Sequence, residues 1–145
     1  MDASDEIREF STGAIRDAAD KKPMLQLISP FALMRLGEWM RFACKDRKPE
    51  PYPARNWEKG MPFSEVIGSL ERHVQKWKMG DRSEDHLAAV MFNTMALIHL
   101  QEMIDRGVLP RELDDMPSYG PSRLWVERKP EDGCYLSVAT PAKEL

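Results

Sequence analysis

Only two cysteines, Cys44 and Cys134, occur in the 145 residues, and they stand too far apart for a close-spaced metal or redox motif. No disulfide framework is expected, and a cytoplasmic setting is the default. No uninterrupted apolar run approaches the roughly 20 residues that cross a bilayer, so no membrane partner is expected. The opening MDASDEIREF is acidic and has no apolar core, so it does not read as a signal peptide. Neither sign of charge dominates: 21 Lys and Arg against 24 Asp and Glu leave a net charge of -3. That balance gives no reason to expect nucleic acid, while a local basic pocket for a small anion stays open. There is no internal repeat and no low-complexity segment. Nor is there a GxxxxGK[ST], GxSxG or HExxH signature, so no P-loop, serine-hydrolase or zincin chemistry is indicated.

What is present is a soluble, single-core composition, 42% hydrophobic and 31% charged. The spacing of apolar residues predicts three helices. Residues 1–11 read as a polar lead-in, and 12–30 as irregular structure with one short turn, because Thr12-Gly13 and Lys21-Lys22-Pro23 break any period. The first helix is expected over 31–46, with Phe31, Met34, Leu36, Trp39, Met40, Phe42 and Ala43 as its apolar surface. Pro49, Pro51 and Pro53 then forbid a helix. The second helix is expected over 64–79 with Ser64 as its N-cap, and the third from about Glu84 to Arg106 with Asp81 or Ser83 as cap. Gly80 and Gly107 are the expected stops. Beyond residue 110 the chain changes character. LWVE (124–127) and CYLSV (134–138) suggest a short β-hairpin or an irregular tail. The expected architecture is therefore an all-α domain over 1–109 with a proline-broken loop, and a C-terminal extension over 110–145.

The chemistry is concentrated between Pro49 and His86. RNWEKG (55–60) closes the proline loop. The second helix carries Glu65, Ser69, Arg72, His73 and Lys76 on one face. Such a face is either solvated surface or a site. Glu84 and Asp85 begin the third helix, near the positive end of its dipole. Adjacent helical residues point roughly 100° apart, so both can join one cluster only on the first turn, or if one of them caps. Arg55, Lys59, Arg72 and Lys76 can neutralise phosphates, and Trp57 can stack on a base. His73 and His86 can act as general bases, as metal ligands or as hydrogen-bonded packing groups. Glu38, the acid inside the first helix, is either an ion-pair partner of Arg35 or Arg41 or a metal ligand.

Three strings in order carry a resemblance. They are TGAIRD with a following Lys-Pro pair and LISP (12–30), RNWEKG (55–60), and SLERH with GDRSEDHLAAVMFN (69–73 and 80–93). Together they resemble the dATP/dGTP diphosphohydrolases, found mostly in phages and related to the MazG-like nucleotide pyrophosphohydrolases. The resemblance covers about residues 12–105. It implies a MazG-like helical bundle assembled as a homo-oligomer, dimer or tetramer, and located in the host cytoplasm if phage-encoded. It implies Mg²⁺- or Mn²⁺-dependent hydrolysis of dGTP or dATP to the monophosphate and pyrophosphate. In phages that replace adenine with 2-aminoadenine, such an enzyme supplies dGMP and depletes dATP.

The metal motifs of MazG-like enzymes, ExxE and ExxD, are not in their usual places. Val74 stands three residues after Glu71, and Ser83 three before His86. The expected metal ligands are therefore the acids in or beside the matching helices: Glu38, Glu71, Glu84 and Asp85. His73 and Glu84 are the expected catalytic residues. Arg55, Asn56, Trp57, Lys59 and Arg72 are expected to bind substrate. The incomplete signature keeps a non-catalytic nucleotide-binding or protein-interaction module as the alternative. A histidine-aspartate phosphohydrolase is disfavoured, because the order is Asp85-His86 rather than His-Asp.

Overall fold

The computed structural model describes residues 7–17 and 22–119. Of these, 7–17 and 22–28 fall in one compact unit and 29–119 in a second. The described part is all-α in class, three α-helices with one small hairpin. The C-terminal hairpin expected over 124–138 lies outside the described residues.

The hairpin lies in the first unit and corrects the irregular reading of the N-terminal segment. Strand β1 (Ile7–Glu9) pairs antiparallel with β2 (Ile15–Asp17), placing Arg8 opposite Arg16. Thr12-Gly13 looked like a helix breaker but serves as the turn, closed by Gly13 N–H donating to the Phe10 carbonyl at 2.8 Å. Ile7 and Ile15 are β-branched, which suits extended backbone. A single 3₁₀ turn follows at Leu25–Leu27.

In the second unit, α1 (Pro30–Lys45) starts where its proline predicts, with the Ser29 hydroxyl accepting from Ala32 N–H. Helices α2 (Phe63–Lys78) and α3 (His86–Asp105) follow, joined by a short turn at Gly80. Gly80 holds φ +84°, a conformation open to glycine at little cost. Helix α3 packs against both α2 and α1. Ala88, Ala89, Ala96, Leu100 and Ile104 are its buried apolar residues. Phe63, Leu100 and Ile104 form the core, closed by Met61, Leu97, Leu109 and Leu113.

Both expected caps differ from the structure. Ser64 lies inside α2; its N–H and hydroxyl both donate to the Asp115 carboxylate, 51 residues along the chain. Asp85, not Asp81 or Ser83, caps α3 by accepting from Ala88 N–H at 3.1 Å. Asp81 accepts instead from Ser83 N–H at 2.8 Å and shapes the turn.

The apolar surface of α1 also differs from expectation. Leu36 is its buried residue, while Phe31, Met34 and Phe42 are exposed, as are Leu87 and Ile98 on α3. By length and mean hydropathy α3 could cross a membrane, yet it is the helix on which the other two pack.

Candidate active site

Helices α2 and α3 run back from Gly80 as two arms, so residues at similar distances from that glycine face each other. His73 lies seven positions before it and His86 six after. Their Nδ1 atoms are 3.0 Å apart. Glu84, in the turn between the arms, brings Oε1 to 3.6 Å from His73 Nδ1 and 3.4 Å from His86 Nδ1. Among the described residues this is the one group of three such side chains with converging ligand atoms. Lys76 Nζ lies 3.6 Å from the same Glu84 oxygen. Further along the arms, Asn93 donates to the Ala89 carbonyl at 2.8 Å and reaches Ser69 Oγ at 3.5 Å. That satisfies a buried amide.

His86 is 1% exposed. Its Nε2 stands 3.2 Å from Asp81 Oδ2 without reaching hydrogen-bond geometry. The Ser83 N–H holds the Asp81 carboxyl far down, at about 2, with the Ser83 hydroxyl and His86 adding smaller contributions. Burial keeps His73 below the ordinary imidazole value; His86, Lys76 and Arg72 push the same way and Glu84 opposes them. Burial thus favours the neutral form of His73, which has a nitrogen lone pair.

The cluster borders a cavity of about 560 Å³, a size suited to a small organic ligand. Its α2 wall is Glu65, Ser69, Arg72, His73 and Lys76, the polar face read from the spacing. Trp39, Phe42 and Tyr52 line it from α1 and the proline loop, and Arg55, Asn56 and Trp57 from RNWEKG. The loop is tied down at Tyr52, whose N–H donates to the Ala43 carbonyl at 2.9 Å and whose ring lies under the Arg47 guanidinium. Arg55 holds φ +59°, uncommon for a non-glycine residue and frequent near functional sites. Trp57 packs edge-on against His99 and Phe92 of α3. Its buried indole N–H has no acceptor among the described residues.

The sequence candidates therefore divide. The structure brings together His73 and Glu84, and places Arg55, Asn56, Trp57 and Arg72 around the same cavity. Lys59 is exposed and does not line it. Glu38 is exposed and accepts from Arg41 at 3.0 Å, the ion-pair alternative. Glu71 is exposed on another side of α2. Asp85 spends its oxygens on Ala88 N–H and on a two-point contact with Arg35, whose hydrogen bond lowers the carboxyl's pKa. None of these three acids joins the His73–Glu84 group. Beyond the expected set, His86 completes the group, Asp81 stands behind His86, and Glu65 and Arg47 line the cavity. Their signal was positional: His86 mirrors His73 across Gly80, and Glu65 shares its helical face.

Arg47, Arg55, Arg72 and Lys76 line the cavity beside two imidazoles and a carboxylate, a set of side chains chemically able to bind phosphate. The family described as dATP/dGTP diphosphohydrolase, N-terminal, matches residues 12–107, and the chain belongs to that family. No curated protein and no solved structure matches the chain.

Proposed function

We propose that the chain hydrolyses dGTP or dATP between the α and β phosphates, releasing the nucleoside monophosphate and pyrophosphate in a metal-dependent reaction. The observation that carries this reading is the meeting of three features at one cavity: cations, aromatic walls and, at its border, His73 and Glu84 with the buried His86 behind them. Arg72 and Lys76 from α2, with Arg47 and Arg55 from the loop side, neutralise the triphosphate. Arg72 makes no ion pair among the described residues, so its guanidinium is available to a phosphate. Trp57 and Phe92 supply apolar walls for the base, and Asn56 and Asn93 supply polar atoms to read its edge.

Of the two ions that the resemblance implies, Mn²⁺ suits the donors better than Mg²⁺. Mg²⁺ prefers oxygen ligands, whereas two imidazoles with one carboxylate suit a transition ion. His73, Glu84 and His86 would hold it. A bound ion supplies Lewis acidity and a more acidic water at such a site. Among the described residues, Glu65 and Glu84 are the carboxylates lining the cavity. With Glu84 in the metal-binding group, Glu65 is left to orient the attacking water and accept its proton. A second copy of the chain is the proposed partner, since exposed Phe31, Met34 and Ile98 leave apolar surface for oligomer formation.

The test is to incubate the purified chain with each dNTP, with Mn²⁺, with Mg²⁺ and with chelator, and to identify products by chromatography. Metal-dependent dGMP or dAMP with pyrophosphate supports the reading. Tripolyphosphate with nucleoside would indicate a triphosphohydrolase. No product from a folded chain that still binds nucleotide would favour the non-catalytic module, the reading that the scattering of Glu38, Glu71 and Asp85 would then explain.

A further inference from the structure

We infer that His73 Nδ1, His86 Nδ1 and Glu84 Oε1 form a nitrogen-rich site for a first-row transition-metal ion of the Zn²⁺, Co²⁺ or Mn²⁺ kind, in preference to Mg²⁺. The inference deepens the proposed function at the same cavity and rests on that reading for its role in catalysis. The donor geometry stands independently.

The three ligand atoms form a triangle with edges of 3.0, 3.4 and 3.6 Å. An ion bound at Zn–N and Zn–O distances of about 2.0–2.2 Å in tetrahedral geometry spaces its ligands about 3.3–3.6 Å apart. Two edges fall in that range and the third is slightly short. The fourth tetrahedral position is left for water or a phosphate oxygen, the arrangement of catalytic rather than structural sites.

A second observation points the same way. His86 is almost completely buried, and its far nitrogen, Nε2, has an Asp81 carboxylate oxygen at 3.2 Å. Asp81 is itself fixed by Ser83 N–H. The Nε2–H is out of hydrogen-bond line with the Asp81 oxygen here, but a carboxylate at this distance favours the proton on Nε2 by charge and leaves Nδ1 as the donor, the direction in which a carboxylate supports a metal-binding imidazole. With hydrogen on Nε2, the His86 Nδ1 lone pair faces His73 and Glu84. A plain hydrogen bond between the two imidazoles uses one lone pair and leaves the Glu84 oxygen without a donor from either ring. Its neighbour is then Lys76, 3.6 Å away. Lys76 thus supplies in the metal-free chain the positive charge that an ion brings, and it competes with the ion.

The experiment uses the full chain stripped of metal, without nucleotide, so that failure to bind metal is separable from failure to hydrolyse. Zn²⁺ and Mn²⁺ are titrated by calorimetry, Co²⁺ by its visible absorption, and Mg²⁺ serves as competitor. The expected result is one Zn²⁺ or Co²⁺ per chain, with a cobalt spectrum of low coordination number, undisturbed by about a hundredfold excess of Mg²⁺. His73→Gln and Glu84→Gln should each remove the cobalt spectrum while circular dichroism stays unchanged. Asp81→Asn should weaken binding about 10- to 100-fold with the stoichiometry kept. Lys76→Met should tighten it, a gain that general damage to the fold does not produce. Zn²⁺ and Co²⁺ binding no tighter than Mg²⁺, or binding indifferent to both His73→Gln and Glu84→Gln, would overturn the inference and leave a hydrogen-bonded histidine pair.

Discussion

His73 and His86 meet nitrogen to nitrogen at 3.0 Å across the α2–α3 hairpin, and Glu84 reaches both from the turn between the helices. The contact depends on the turn at Gly80 and on the capping of α3 by Asp85, which fixes where His86 begins the helix. The site therefore inherits its geometry from the ends of two helices.

Glu84→Gln keeps the size of the side chain and removes its charge. Turnover of dGTP and dATP should fall by at least about a hundredfold, with helical circular dichroism unchanged. Glu65→Gln should lower kcat with little change in KM, because the role proposed for Glu65 is on water rather than on phosphate. Steady-state kinetics on both variants, with pyrophosphate release as the readout, checks the pair.

Arg72→Ala removes a cavity-lining guanidinium with no ion-pair partner of its own among the described residues, the group proposed to meet the triphosphate. The apparent KM for a dNTP should rise about tenfold or more, as expected for a lost charge-assisted hydrogen bond. Arg72→Lys should recover only part of this, because an ammonium cannot make the two-point contact. An unchanged KM in Arg72→Ala would move the triphosphate elsewhere in the cavity.

Leu100 is fully buried against Phe63 and Ile104. Leu100→Ala should cost about 2–5 kcal/mol of stability through lost transfer energy and the cavity left behind. Urea denaturation measures it. A cost below about 1 kcal/mol would mean that the core is looser than the packing indicates.

The spacing of residues made much of this legible. Helical period alone put Glu65, Ser69, Arg72, His73 and Lys76 on one face of α2, and that face is a wall of the cavity. Period cannot say whether such a face meets open water or a concavity. Here the proline loop decides, by carrying Tyr52, Asn56 and Trp57 opposite it. The angular spread of Glu84 and Asp85 was also legible: one joins the cluster and the other caps. Asp85 is the cap because its oxygen meets Ala88 N–H, a pairing that composition does not rank above a cap by Ser83. Glu38 and Glu71 were chosen as acids in matching helices, and neither position encodes the side of the helix facing the cavity. The hairpin at 7–17 escaped notice because its strands are three residues each, too short for an alternating pattern to stand out.

Acid should unfold the chain through its helix-end carboxylates. Asp81, Asp85 and Asp115 all have pKa values lowered by folding, through Ser83, Arg35 and Ser64 respectively. Each therefore adds stability that is present above the ordinary carboxylate value of about 3.9 and is lost as pH falls through its folded value. For Asp81 that window runs down to about 2. The urea midpoint should drop below about pH 4, and Asp85→Asn should lower it at neutral pH while flattening the acid limb. A midpoint insensitive to acid in the unmodified chain would contradict this account.

Residues 106–119, the described segment after α3, do not line the cavity, yet the loop that does line it leans on that segment. Leu113 packs into the core, and its Cδ1 lies 2.7 Å from where a Cβ on Gly60 would stand. Gly60 is the last residue of RNWEKG and holds φ +102°. Asp115 secures the first turn of α2 just beyond it. A single protease nick between Leu109 and Asp115 would thus act at a distance, releasing the support of residues 55–60 while leaving every cavity-lining side chain covalently in place. The same dependence limits where the chain can be shortened: a fragment trimmed to the family match, ending at residue 107, keeps the walls of the cavity and loses the brace behind one of them.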